Sequence, residues 1–149
     1  MSRTSIITLL KADHREVTHL FEQLAAVNSP TKRRTLFAAI DQALSLHADF
    51  EEANVYPLLK QRKDTRDAAL EAVEEHGQIK RLLADLRTLE ADDVRWKAKL
   101  TVLSEDVRHH VKEEEGTVFP ELSEAAAEVD LVALGAQYQE AKSGVAAEH

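Results

Sequence analysis

The sequence predicts an all-α protein, an up-down-up-down four-helix bundle with a pseudo-two-fold internal repeat, and three observations predict it. Of 149 residues only four are Gly and three Pro, while 44% are hydrophobic, and the abundant Ala, Leu, Glu and Lys are strong helix formers. Apolar residues recur at steps of three and four, the period of one helix face rather than of a strand. The second half of the chain also repeats the pattern of the first.

The first helix is expected near residues 3–27 and is closed by Asn28-Ser29-Pro30. Ser29 can cap the second helix, and Pro30 suits its first position because the N–H that proline lacks would have no partner there. The second helix is expected near 30–62. Asp64 and Asp92 are the candidate N-caps of a third helix near 65–90 and a fourth near 93–124, each carboxylate able to accept the free N–H groups of the following turn. A short fifth helix is a candidate around Leu131 to Tyr138. The connections are short, so neighbouring helices are expected to run antiparallel. One domain is expected over residues 1–149, with the bundle at about 3–124 and a C-terminal segment at 125–149.

The repeat is specific. An offset of 63 relates the second and fourth helices, matching Phe37 to Leu100, Ile40 to Leu103, Leu44 to Val107, His47 to His110, Glu51 to Glu114, Val55 to Val118, Tyr56 to Phe119 and Pro57 to Pro120. An offset of 62 relates the first and third, matching His14 to His76, Val17 to Ile79, Leu20 to Leu82, Phe21 to Leu83 and Leu24 to Leu86.

Within these stripes, His14, His47, Glu51, His76, His110 and Glu114 fall on faces otherwise built of Leu, Val, Ile and Phe. One inward histidine is ordinarily a hydrogen-bonded core residue. Six inward polar groups in symmetric pairs are not ordinary, because a buried carboxylate costs several kcal/mol unless a positive group compensates it. Two metal ions would neutralise both carboxylates and take the imidazole lone pairs. The chain has no Cys, so thiolate sites and disulfides are excluded, and a set of imidazoles and carboxylates points to iron, then manganese, ahead of zinc or copper.

These motifs resemble the hemerythrin-like, or HHE cation-binding, family of bacterial type, whose pattern is a His, a His-x-x-x-Glu, a His and a second His-x-x-x-Glu on successive helices. Here they read Asp13-His14-Arg15-Glu16, His47-Ala48-Asp49-Phe50-Glu51, Glu75-His76-Gly77-Gln78 and His110-Val111-Lys112-Glu113-Glu114. The resemblance covers residues 5 to about 123, including the Tyr-Pro and Phe-Pro that close each half. It implies a non-haem centre of two iron ions of the Fe-O-Fe type, bridged by Glu51 and Glu114 and by a solvent-derived oxygen, with the four histidines at the sides.

The sequence departs from the oxygen-carrying members, which have a fifth histidine one turn after the third-helix His; Lys80 stands there. About one open coordination position per iron is the consequence if the ions are octahedral. Tyr56, five residues beyond Glu51, is the candidate additional ligand or pocket residue. Asp13 and Glu75 are read first as surface charges and second as hydrogen-bond partners of imidazole. Glu52, Glu113 and Glu115 are expected at the solvent or pocket rim, and His19, His109 and His149 in solvent.

The formal charge of −8, without a dense Lys/Arg stripe, argues against nucleic acid or an anionic membrane as partner. The apolar run Ile6 to Leu10 is too short to span a bilayer. The expectation is a cytoplasmic protein, a monomer or weak oligomer, that binds or handles O2, nitric oxide or peroxide in sensing, storage or detoxification, with an electron donor not identified by the sequence. A peroxidase or catalase, consuming peroxide or nitric oxide at the two irons, is the alternative, and an iron donor for cluster repair is a third reading.

Overall fold

The structure, a computed structural model, describes residues 4–147, with side chains described as far as residue 144. Five helices and no strand are present among the described residues. α1, Ile6–Ala26, starts after Ser5, whose hydroxyl accepts from the Ile7 N–H; the expected start at residue 3 lies outside the described residues. Ser29 caps α2 through the Lys32 N–H, with Pro30 in the first turn as expected. α2 runs through Pro30–Phe50, a π-helical turn at Glu51–Val55 and a last α turn at Tyr56–Lys60.

Two caps differ from the sequence reading. α3, Arg66–Thr88, follows Thr65 rather than Asp64. The Thr65 hydroxyl turns back to donate to the Leu59 carbonyl at 2.5 Å, while Asp64 pairs at the surface with Arg62. α4 begins at Val94, and its cap is Asp93, whose carboxylate accepts the Arg95 N–H at 2.8 Å; Asp92, one residue earlier, is exposed. α4 repeats the construction of α2, with Val94–Glu113, a π-helical turn at Glu114–Val118 and a last α segment at Phe119–Ala125.

Proline explains the widened turns. Pro57 and Pro120 lack an N–H, and in a regular α-helix their rings would collide with the carbonyls of Ala53 and Gly116, four residues back. A π turn relieves this, its characteristic bonds running from the Tyr56 N–H to the Glu51 carbonyl and from the Phe119 N–H to the Glu114 carbonyl.

The fifth helix is longer than expected. α5 spans Glu128–Ala147 rather than the short stretch 131–138, and packs along α1. Gly135 permits the close approach: a Cβ there would lie 2.1 Å from the Thr4 carbonyl oxygen. α1 also packs on α2, and α3 on α4.

The apolar interior is divided in two. One cluster contains Leu10, Val55, Leu59, Phe119, Leu122 and Leu131, the other Val17, Ile40, Ile79, Leu83, Trp96 and Leu103. The far end is pinned by Trp96, whose indole N–H donates to the Leu86 carbonyl and whose ring meets Phe37 edge-on. Between the two clusters, in order along each helix, lie the inward histidines and glutamates. No helix of the described residues is long and apolar enough to cross a membrane.

Candidate metal centre

All six residues singled out from the sequence converge. His14 on α1, His47 and Glu51 on α2, His76 on α3, and His110 and Glu114 on α4 are all buried, the two glutamates completely. Their facing atoms form two overlapping groups, Glu51, His76, His110 and Glu114 in one and His14, His47 and Glu114 in the other, with the atoms of each group within 4.8 Å of one another.

Glu114 spans the two groups. Its Oε1 lies 3.1 Å from His14 Nε2 and 3.5 Å from His47 Nε2, and its Oε2 lies 3.4 Å from His110 Nε2. Glu51 Oε1 lies between His47 Nε2 at 3.1 Å and His76 Nε2 at 3.3 Å. The Nε2 atoms of His76 and His110 are 3.1 Å apart.

The outer nitrogen of each ring is tied to a carboxylate. His14 Nδ1 is 2.7 Å from Glu115, His47 Nδ1 3.2 Å from Asp13, His76 Nδ1 3.1 Å from Glu52, and His110 Nδ1 2.6 Å from Glu75. These pairs obey the sequence offsets, 62 from Asp13 to Glu75 and 63 from Glu52 to Glu115. A carboxylate on Nδ1 fixes that nitrogen as the N–H, leaving the Nε2 lone pair facing inward. Inward lone pairs about 3 Å from carboxylate oxygens repel unless a proton or a cation stands between them.

Two of these four carboxylates, Asp13 and Glu75, revise the sequence reading. Asp13 is buried rather than a surface charge, and it serves His47 of the neighbouring helix instead of the adjacent His14. Glu75 likewise bonds His110 and is only partly exposed. Glu52 and Glu115 do lie at the rim, half-buried, where they hold His76 and His14. Glu113, His19 and His109 are exposed, and His149 lies outside the described residues.

Tyr56 is fully buried beside the cluster. The π turn brings it onto the same face as Glu51, and its hydroxyl donates to Glu114 Oε2 at 2.6 Å and to Glu51 Oε1 at 3.2 Å, while lying 3.2 Å from His76 Nε2. Its repeat mate Phe119 instead stacks on His14. Lys80, at the position of the absent fifth histidine, points away from the cluster and binds Glu52 and Asp49. Tyr138 and Lys142 of α5, which sequence reasoning missed, both donate to Asp13.

Without a cation the cluster is compensated by protons. Burial alone would pull His47 and His110 down. Glu51, Asp13 and Glu114 outweigh it at His47, raising it well above the usual imidazole range, and Glu114 and Glu75 push His110 up to about 10. Burial pushes Glu114 up, but hydrogen bonds from His110, His14 and His47 hold it well below the usual carboxylate range. Burial and the charges of Glu51 and Glu114 raise Tyr56 far above a free phenol. Even so, Glu51 Oε2, wholly buried, has no hydrogen-bond partner.

A cation fits this arrangement. Atoms bound side by side at about 2.1 Å from one metal ion lie about 3 Å from each other, the spacing observed among the Nε2 and Oε atoms. Next to the cluster is a cavity of about 30 Å³ walled largely by Val17, Leu44, Ile79, Val107 and Val111, with room for a water or a diatomic molecule.

The comparisons with known proteins cover the span of chain that carries these residues. The family model described as the hemerythrin HHE cation-binding domain matches residues 5–122. A protein of Nostoc sp. strain PCC 7120 named as a DNA nickase is 30% identical over 115 residues, which cover 77% of this chain but 32% of that relative. The chain thus matches about a third of the relative's length. No solved structure gives a significant match.

Proposed function

The chain belongs to the hemerythrin HHE cation-binding family, and from that premise we propose that it holds two iron ions and uses them to bind or handle O2, nitric oxide or peroxide in the cytoplasm. His14 and His47 would hold one ion and His76 and His110 the other, with Glu51 and Glu114 shared between them. The single observation that carries this is the unpartnered Oε2 of fully buried Glu51, set among four imidazoles whose outer nitrogens are already fixed. An up-down-up-down course of α1 to α4 with a two-fold relation between halves is part of the same reading, supported by the matched hydrogen bonds of the two halves.

Iron bound there would supply reversible redox chemistry and a position for a diatomic ligand. The chain supplies the rest. Four carboxylates orient the rings, the apolar walls exclude water, and Tyr56 holds a proton at its hydroxyl oxygen beside Glu114. That proton favours a second reading, turnover of peroxide, because a donor in contact with the bridging carboxylates can protonate a leaving oxygen. Nicking of DNA is not carried over from the Nostoc relative, since two thirds of that protein lie outside the match and a chain of charge −8 is repelled by phosphate.

Anaerobic loading with ferrous iron, followed by desalting and metal analysis, is expected to give two ions per chain and an absorption change on mixing with at least one of O2, nitric oxide or peroxide. Failure to retain iron, or spectra unmoved by all three, overturns the proposal. Sustained peroxide consumption that disappears in His47→Ala would establish the second reading over simple binding.

A further inference from the structure

Resting on the two-ion reading, we infer that Tyr138 and Lys142 of the C-terminal helix are positioning residues for the metal held by His14 and His47. That position therefore depends on α5, whereas the position held by His76 and His110 does not.

Asp13 is the residue through which α5 reaches the centre. Its Oδ2 accepts from both His47 Nδ1 and the Tyr138 hydroxyl, and its Oδ1 accepts from Lys142 Nζ at 2.6 Å. With this carboxylate only 6% exposed, little water can replace a lost donor. Without Tyr138 and Lys142, Asp13 would keep one bond and could turn about its side-chain torsions, and His47 would lose the fixed acceptor that sets its tautomer and ring plane. Tyr138 is held in turn by its own burial, by contact with the Phe50 ring at 4.8 Å and by an edge-on approach to His47.

The other position is built differently. Glu75, the counterpart of Asp13, is approached besides His110 by the exposed His109 of α4, at 3.5 Å. Glu52, on His76, is held by Lys80 of α3. The two halves repeat each other in their ligands and in the carboxylates behind them, and the symmetry is broken where α5 lies against α1.

The docking of α5 rests on a close backbone approach. The absent Cβ of Gly135 leaves room for the Thr4 carbonyl, and Leu131 is buried against the first apolar cluster. Gly135→Ala therefore displaces the helix without altering any group that touches Asp13.

The test is an anaerobic ferrous titration in competition with a chromogenic chelator, with native mass spectrometry counting ions per chain and circular dichroism checking the helices. Tyr138→Phe, Lys142→Met and Gly135→Ala are each expected to weaken one of the two ions by about 10- to 100-fold and leave the other as in the unaltered protein. Lys142→Arg restores the wild-type value. The weakening persists when His110→Ala has crippled the other position and vanishes when His14→Ala has crippled this one. Equal weakening of both ions, no weakening with the helices intact, or the reverse dependence on His14 and His110 overturns the inference. An unaltered protein that holds fewer than two ions overturns the two-ion reading itself.

Discussion

The Tyr56 hydroxyl is buried among three polar atoms, so it acts on whatever charge the centre carries. In the metal-free protein it is the closest donor to Glu114 Oε2. Tyr56→Phe is expected to cost about 1–3 kcal/mol of metal-free stability, the penalty for leaving a buried acceptor short of its donor, and, on the two-ion reading, less when bound iron neutralises that oxygen. Urea unfolding with and without iron measures both, and an equal cost in the two states would mean that Tyr56 acts by packing alone. The six inward residues were legible because helix periodicity alone places them on apolar stripes and the repeat pairs them. Asp13 was not: its burial comes from α5, and its partner His47 is 34 residues away on another helix. The Asp-His and Glu-His dipeptides were visible, but the hydrogen bonds run between helices rather than within the dipeptide, because adjacent residues on a helix point about 100° apart.

At the level of elements, helix positions were readable and helix ends less so. Asp64 has the right chemistry for a cap, yet the tight turn after α2 is closed by Thr65, whose buried hydroxyl satisfies the Leu59 carbonyl. Thr65→Val is expected to destabilise the protein by about 1–3 kcal/mol, whereas Asp64→Ala, which removes an exposed pair with Arg62, changes little; chemical denaturation of the two variants decides between these caps. The π turns left a trace in the sequence, a proline six residues after each inward glutamate at Pro57 and Pro120, but not the widened backbone that makes room for it. The length of α5 was hidden because its composition is apolar without a strong stripe, and between its buried side chains Leu131 and Tyr138 the contact with α1 is made by Gly135, which leaves no apolar mark in the sequence.

At the scale of the molecule, the centre couples protonation to stability and, on the two-ion reading, to metal. His47 and His110 are raised in the metal-free fold, so their contribution is fully present below the ordinary imidazole value of 6.5 and fades as the pH climbs, for His110 through about 10. Asp13, on which burial is outweighed by His47, Lys142 and Tyr138, sits at about 2, so its contribution is present above 3.8 and is lost as the pH falls through that lower value. Metal must displace the imidazole protons. Loading at pH 7 is expected to release about two protons per chain in weakly buffered solution, read with an indicator dye, and the metal-free melting temperature is expected to decline between pH 7 and 10. Loading without proton release would show that the rings are neutral beforehand. The division of the apolar interior into two clusters gives this exchange a mechanical side. The protein is a laminate, two oily slabs on either side of an ionic sheet, and the cement of that sheet is hydrogen in the metal-free fold and, on the two-ion reading, iron.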